Sequence, residues 1–150
     1  MLHALGAVNL PVLWLEPNAD AGSLEVLRAL DALALPSGSR RLRHLARPLF
    51  CAAMRHCAVM LGNSSAGIIE AASFGTPVVN VGDRQRERNP NVTDVDNSAD
   101  SIAGALRAAL SHGRWPCDNR YGDGRAGERI ATLLPSLPLD SSVLERTNTY

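Results

Sequence analysis

At 150 residues, 45% of them hydrophobic and 20% charged, the chain has the composition of one soluble domain with a real core. With only 4% aromatic residues, that core must be built from aliphatic side chains and alanine. Fifteen basic residues balance fifteen acidic ones, which argues against a general electrostatic grip on nucleic acid; every basic one is arginine, so a P-loop lysine, a lysine Schiff base and a pyridoxal phosphate anchor are excluded.

In chain order, Pro11 to Leu15 is a short continuous apolar run ended by Glu16-Pro17-Asn18, as expected of a strand buried on both faces. Ser23 is placed to cap a helix through Leu33, with Leu24, Leu27, Leu30 and Ala34 on one face. Pro36 to Ser39 makes a turn, a weak strand follows near Arg41 to His44, and Pro48 suits the start of a helix through His56. Ala58 to Leu61 is a second apolar strand. Ser64 or Ser65 opens a helix to about Phe74, which Gly75 and Pro77 close. Val78 to Val81 is the next strand, and Val92 to Val95 a further short one. Ser98 or Asp100 caps a helix to about Ser111, with Ile102, Leu106, Ala109 and Leu110 along one face, and Gly113 ends it. Tyr121 to Gly124 is a loop, Ala126 to Leu134 a last helix closed by Pro135, and residues 136–150 an aperiodic tail expected to be disordered. Strands alternating with helices predict an α/β fold with a Rossmann-like parallel sheet.

Cys51, Cys57 and Cys117 form no C-x-x-C pair and read as buried free thiols, not as a disulfide framework or zinc ribbon. His3, His44, His56 and His112 have no ligand spacing, so no metal is expected. No apolar run reaches the length of a membrane span, and no basic-then-apolar secretory signal is present, so the expected location is the cytoplasm.

Chemistry concentrates in one stretch, GNSSAGIIEAASFGTPVVNVGDRQRERNPNV, residues 62–92. An apolar strand running into Gly-Asn-Ser-Ser and then a helix makes an anion site: the first helical amides lack intrahelical acceptors, and two hydroxyls add donors. Gly67 would let a ligand approach the backbone. Glu70 could accept hydrogen bonds from vicinal hydroxyls, as an acidic group does on a ribose. Arg84, Arg86 and Arg88 follow the next strand and could neutralise a diphosphate. Together the parts suit a nucleoside diphosphate. A plain capping arrangement and a solvated arginine loop would give the same residues taken singly. Neither G-x-G-x-x-G nor G-x-S-x-G occurs, so a nicotinamide site and a hydrolase elbow are not indicated.

The whole stretch, with PNADAGS at 17–23 and YGDGRAGERI at 121–130, resembles the hydrolysing UDP-N-acetylglucosamine 2-epimerases of sialic and nonulosonic acid synthesis. Non-hydrolysing relatives carry a Thr-Asp-Ser-Gly-Gly type loop and a following Gln-Glu-Glu, where this chain has Gly62-Asn63-Ser64-Ser65 and Ile68-Ile69-Glu70. The resemblance implies that Ser64, Ser65 and the Gly67 region hold the UDP diphosphate, that Glu70 holds the ribose, and that Arg84 contacts the diphosphate. Asn18 and Asp20 match a motif that would face the cleft between two domains.

The resemblance covers only the second domain of a two-domain glycosyltransferase-B arrangement. It implies that residues 1–135 are a UDP-binding domain whose first strand, and the catalytic carboxylates of the other domain, are not in this sequence. The catalytic residues are therefore not assigned, no cofactor is implied, and little turnover is expected of the chain alone. A non-catalytic UDP-sugar-binding module, or one subunit of a split enzyme, is the alternative; a nucleotide-sugar transferase domain is a third reading, disfavoured by the 62–92 block. A sheet lacking a strand also exposes an edge, through which the chain could self-associate or take a separate N-terminal chain.

Overall fold

Among the described residues five short strands, all paired in parallel, carry the fold: β1 (Leu13–Leu15) pairs with β2 (Arg40–Leu42), and β3 (Met60–Gly62), β4 (Val78–Val81) and β5 (Val92–Val95) form a second ladder in that order. The computed structural model describes residues 2–6, 8–17, 22–82 and 89–138. The chain divides into two units, Met1–Asn119, which holds every strand, and Arg120–Tyr150.

β4 is covered on both faces, and its alternation decides which core each residue enters. Val79 packs with Ile102, Ala103 and Leu106 of α5 (Ala99–His112), and Val78 packs on the opposite side with Met54 of α3 (Arg47–His56) and Ala71. A third cluster joins Trp14 of β1 to Leu30 of α2 (Ser23–Asp31). The first helix, α1 (Leu2–Gly6), was not anticipated; it sends Ala4 into the α5 core and Leu5 against Trp14. Five residues are too few to show a helical period in the sequence.

The expected elements are recovered with instructive differences; β1, expected to be buried on both faces, buries Trp14 but leaves Leu13 47% exposed. The cap of α2 is Gly22 in the left-handed region at φ 87°, not the Ser23 side chain, and Leu24 stands 66% exposed while Leu30 alone in that helix is buried. Ser98 does cap α5, accepting from Ser101 N at 3.1 Å, and Ile102, Ala103 and Leu106 form its buried face.

The helix expected to run from Ser65 to Phe74 is two pieces: α4 (Ser65–Ile69) and a 3-10 turn, Ala71–Phe74. Side-chain amides explain the break. Asn89 Nδ2 donates to the Ile68 carbonyl at 3.1 Å and Asn119 Nδ2 to the Ile69 carbonyl at 2.8 Å, capturing acceptors that a continuous α-helix would use internally.

Arg114 ties the far side of the same region together. Its guanidinium donates to Phe74 O at 2.9 Å, Thr76 Oγ1 at 3.0 Å, Cys57 O at 2.9 Å and Arg55 O, fastening the carboxyl ends of α3 and the 3-10 turn with one rigid fork. Cys51 and Cys57 are partly buried, but Cys117 is exposed, which corrects the expectation of three buried thiols.

In the second unit, α6 (Ala126–Leu133) buries no residue. Asp123 starts it, accepting from Arg125 N at 3.0 Å and pairing with Arg129 through both carboxylate oxygens, at 3.0 and 2.7 Å. The helix runs into a 3-10 turn at Leu134–Ser136 that contains Pro135. Residues 139–150, most of the expected tail, lie outside the described residues.

Candidate functional site

The register Leu61↔Val79 and Gly62↔Asn80 sets the carboxyl ends of β3 and β4 side by side. Ligands bind at this end of parallel strands because helix N-termini and connecting loops converge there. The chain leaves β3 through Gly62, whose φ of 146° favours glycine, into Asn63, Ser64 and Ser65, all exposed. Ser64 is the N-cap of α4, its Oγ accepting from Ala66 N at 3.4 Å, a long and weak bond. The Ser64 and Ser65 hydroxyls thus stand at an open turn. Because α4 has only five residues its dipole is small, and the hydroxyls and turn amides must provide most of any anion affinity.

Gly67 is a packing position of the sheet. It is buried; a Cβ there would lie 3.0 Å from Val78 Cγ1 and 3.5 Å from Met60 Sδ, and its N–H donates to Ser64 O at 3.1 Å. The glycine lets α4 pack closely on β3 and β4.

Glu70 is the C-cap of α4, not a first-turn residue, and its Oε2 is paired with Arg47, the first residue of α3. Glu70 keeps its side chain 29% exposed, and Oε1 has no protein partner among the described residues. The carboxylate in turn holds the Arg47 guanidinium more firmly protonated, chiefly through their hydrogen bond. Sequence reasoning missed Arg47 because the pair joins two helices across 23 residues with no local pattern to mark it.

Arg84 belongs to residues 83–88, which lie outside the described residues, as do Arg86, Arg88, Asn18 and Asp20. Their flanks are described. Asn80, 2% exposed at the end of β4, donates to Gly82 O at 3.0 Å and Asp94 Oδ1 at 2.8 Å. Downstream, Asn89, also 2% exposed, holds α4. At the end of β1, Glu16 N donates to Leu42 O at 3.0 Å and Glu16 Oε1 accepts from Arg41 at 2.8 Å, directly before the Asn18 and Asp20 stretch. Among the described residues no three His, Cys, Asp or Glu side chains converge on a metal position, and no helix is long and apolar enough to cross a membrane.

Parallel strands with helices on both faces, opening at their carboxyl ends through a serine turn, define a Rossmann-like α/β fold. The family described as UDP-N-acetylglucosamine 2-epimerase matches residues 1–135, and the chain belongs to that family. It is 44% identical over 152 aligned residues to a UDP-N,N'-diacetylbacillosamine 2-epimerase (hydrolyzing) of Legionella pneumophila, covering 100% of this chain and the C-terminal 40% of that protein. It is 31% identical to a UDP-N-acetylglucosamine 2-epimerase of Neisseria meningitidis serogroup B, over 82% of this chain and 34% of the relative. A GDP/UDP-N,N'-diacetylbacillosamine 2-epimerase (hydrolyzing) of Campylobacter jejuni is 31% identical over 57% of this chain and 23% of its own length. The chain therefore spans well under half the length of the relatives it matches.

Proposed function

We propose that residues 1–135, the span matched by the family, are the UDP-binding part of a hydrolysing 2-epimerase that acts on a UDP-N-acetylhexosamine. The observation that carries this reading is the open Gly62–Ser65 turn beside the end of β4, in a chain 44% identical throughout to a hydrolysing epimerase. Ser64, Ser65 and the turn amides bind the diphosphate, with Arg84 as its cationic partner. Glu70 Oε1 accepts from the ribose hydroxyls while Arg47 holds Oε2. Asn18 and Asp20 face the sugar side.

The reaction removes the sugar C2 proton, breaks the C1–O bond with UDP leaving on the opposite face, then adds water to C1 of the glycal and a proton to C2. That sequence needs an acid and a base on either side of the sugar. Glu70 is paired with Arg47. The acid and base belong to the portion of the relatives that this chain does not match, and the chain alone turns over little substrate.

Titration calorimetry of UDP into the full chain tests the binding reading. Ser64→Ala and Glu70→Ala each remove a hydrogen bond involving a charged group, about 1.5–3 kcal/mol, or roughly 10- to 150-fold in Kd. A folded chain that binds no UDP, or binds it equally in both variants, sinks the assignment.

A further inference from the structure

Glu70 is held at three of its four polar groups. Its N–H donates to Ala66 O at 2.9 Å, its carbonyl accepts from Ser73 N at 3.0 Å, and its Oε2 is paired with Arg47. Among the described residues only Oε1 is left for a ligand. The backbone of Glu70 also leaves the helix: its φ of −110° lies about 45° from the α-helical value near −63°. Rotation about N–Cα carries Cβ with it, so the side chain departs from the course that a continued helix would give it.

Two asparagines make that departure. In an uninterrupted α-helix the Ile69 carbonyl would accept from Ser73 N, four residues on. Here Ser73 N turns to Glu70 O instead, the tighter 3-10 pattern, and Asn119 Nδ2 takes its place at Ile69 O at 2.8 Å. The same Nδ2 donates to Ser73 Oγ at 2.7 Å, so Asn119 has one contact on each side of Glu70. Asn89 Nδ2 donates to Asn119 Oδ1 at 3.1 Å and to Ile68 O at 3.1 Å. That first bond fixes which way the Asn119 amide faces; the flipped amide would set Oδ1 against the Ile69 carbonyl.

We propose that Asn119 is a positioning residue for the nucleotide-binding carboxylate. By taking the Ile69 carbonyl from Ser73 N it tightens the turn around Glu70 and aims Oε1 outward, while Arg47 locks Oε2. Asn119 acts through Glu70 and not by contact with the nucleotide. The inference rests on the reading of Glu70 as acceptor for the ribose hydroxyls. A side chain ordered before binding spares the ligand the cost of ordering it, about 2- to 13-fold in affinity for one flexible side chain.

The test compares UDP with its 2′,3′-dideoxy analogue, which lacks the hydroxyls that Glu70 reads, by titration calorimetry into the full chain and its variants. UDP should bind the unaltered chain at least about tenfold more tightly than the analogue. Asn119→Ala should weaken UDP by about 2- to 13-fold and leave the analogue within about twofold; in a Glu70→Ala background it should change neither. Ser73→Ala removes one of the two Nδ2 contacts at an exposed position and should narrow the discrimination in the same sense but by less, which keeps the test open if Asn119→Ala does not fold. An unchanged ratio in the folded variant overturns the proposal and leaves the reading of Glu70 standing. So does equal weakening of both ligands, the mark of a merely structural asparagine. Failure of the underlying reading looks different: the unaltered chain then binds no UDP, or binds it no better than the analogue, and the proposal falls with it.

Discussion

Gly75→Ala should be among the most destabilising single-methyl additions in this chain. Gly75 is buried and left-handed (φ 63°, ψ 22°), closing the 3-10 turn. An alanine in that region costs about 1–2 kcal/mol for the conformation alone. The added Cβ would also lie 2.1 Å from the Trp115 carbonyl oxygen, and the obstacle is backbone, which cannot rotate away. Trp115 must retreat by about an ångström to reach ordinary contact. That breaks the Trp115 N to Gly75 O bond of 2.9 Å, about 0.5–1.5 kcal/mol, and pulls on the Arg114 fork one residue away. These two terms sum to about 1.5–3.5 kcal/mol, and displacing the Trp115 backbone adds to them. Gly22→Ala is the internal control: φ is 87°, but nothing lies within 4 Å of the added Cβ, so only the conformational cost of about 1–2 kcal/mol applies. Urea unfolding of both variants, compared at constant m, separates the two effects. A Gly75→Ala midpoint no lower than that of Gly22→Ala would refute the steric argument.

Three further outcomes are expected. Thr76→Val should cost about 1–3 kcal/mol, because Thr76 is fully buried, its hydroxyl donates to Met54 O at 2.7 Å, and it accepts from Arg114; Thr76→Ser should recover most of the loss in thermal unfolding. Hydrogen bonds from the Ser98 N–H and the Ser98 and Ser101 hydroxyls hold the Asp96 carboxyl below its ordinary range. Its folded pKa is depressed, so its contribution is present above the unfolded value of about 4 and lost as pH falls through the folded one. Asp96→Asn should flatten that acid limb of the stability curve, and an unchanged limb would count against the assignment. Burial pushes the Cys57 thiol up in pKa, with Arg114 opposing, whereas Cys117 is exposed; alkylation followed by mass spectrometry at pH 8 should modify Cys117 first, and equal rates would contradict the structure.

Local chemistry was legible in the sequence, and long-range chemistry was not. Apolar runs at β3 and β4, the Ser98 cap, and the glycines at 75 and 113 were found because each acts on its own neighbours. The serine turn was found for the same reason. Asn89, Asn119 and Arg114 were missed, although they decide where α4 stops and how the turn after it is held. The carbonyls they hold lie 21 to 59 residues away, and a backbone carbonyl carries no sequence identity. Gly67 was recognised as a close approach, but its packing against Val78 was not, since a sequence does not say which side of a helix faces a sheet. Glu70 was recognised without Arg47, because an ion pair between two helices follows no period.

The two buried asparagines at the ends of the segment 83–88 have a consequence for variation within it. Asn80 secures the upstream end through Gly82 and Asp94, and Asn89 secures the downstream end through Ile68. With both anchor points fixed by the core, doubling the length of the connection adds only about 0.6 kcal/mol of closure entropy. The segment can therefore exchange residues, or gain them, without loosening the strands that support it. A graft into this segment should therefore begin after Asn80 and end before Asn89, the two positions that the core holds fixed.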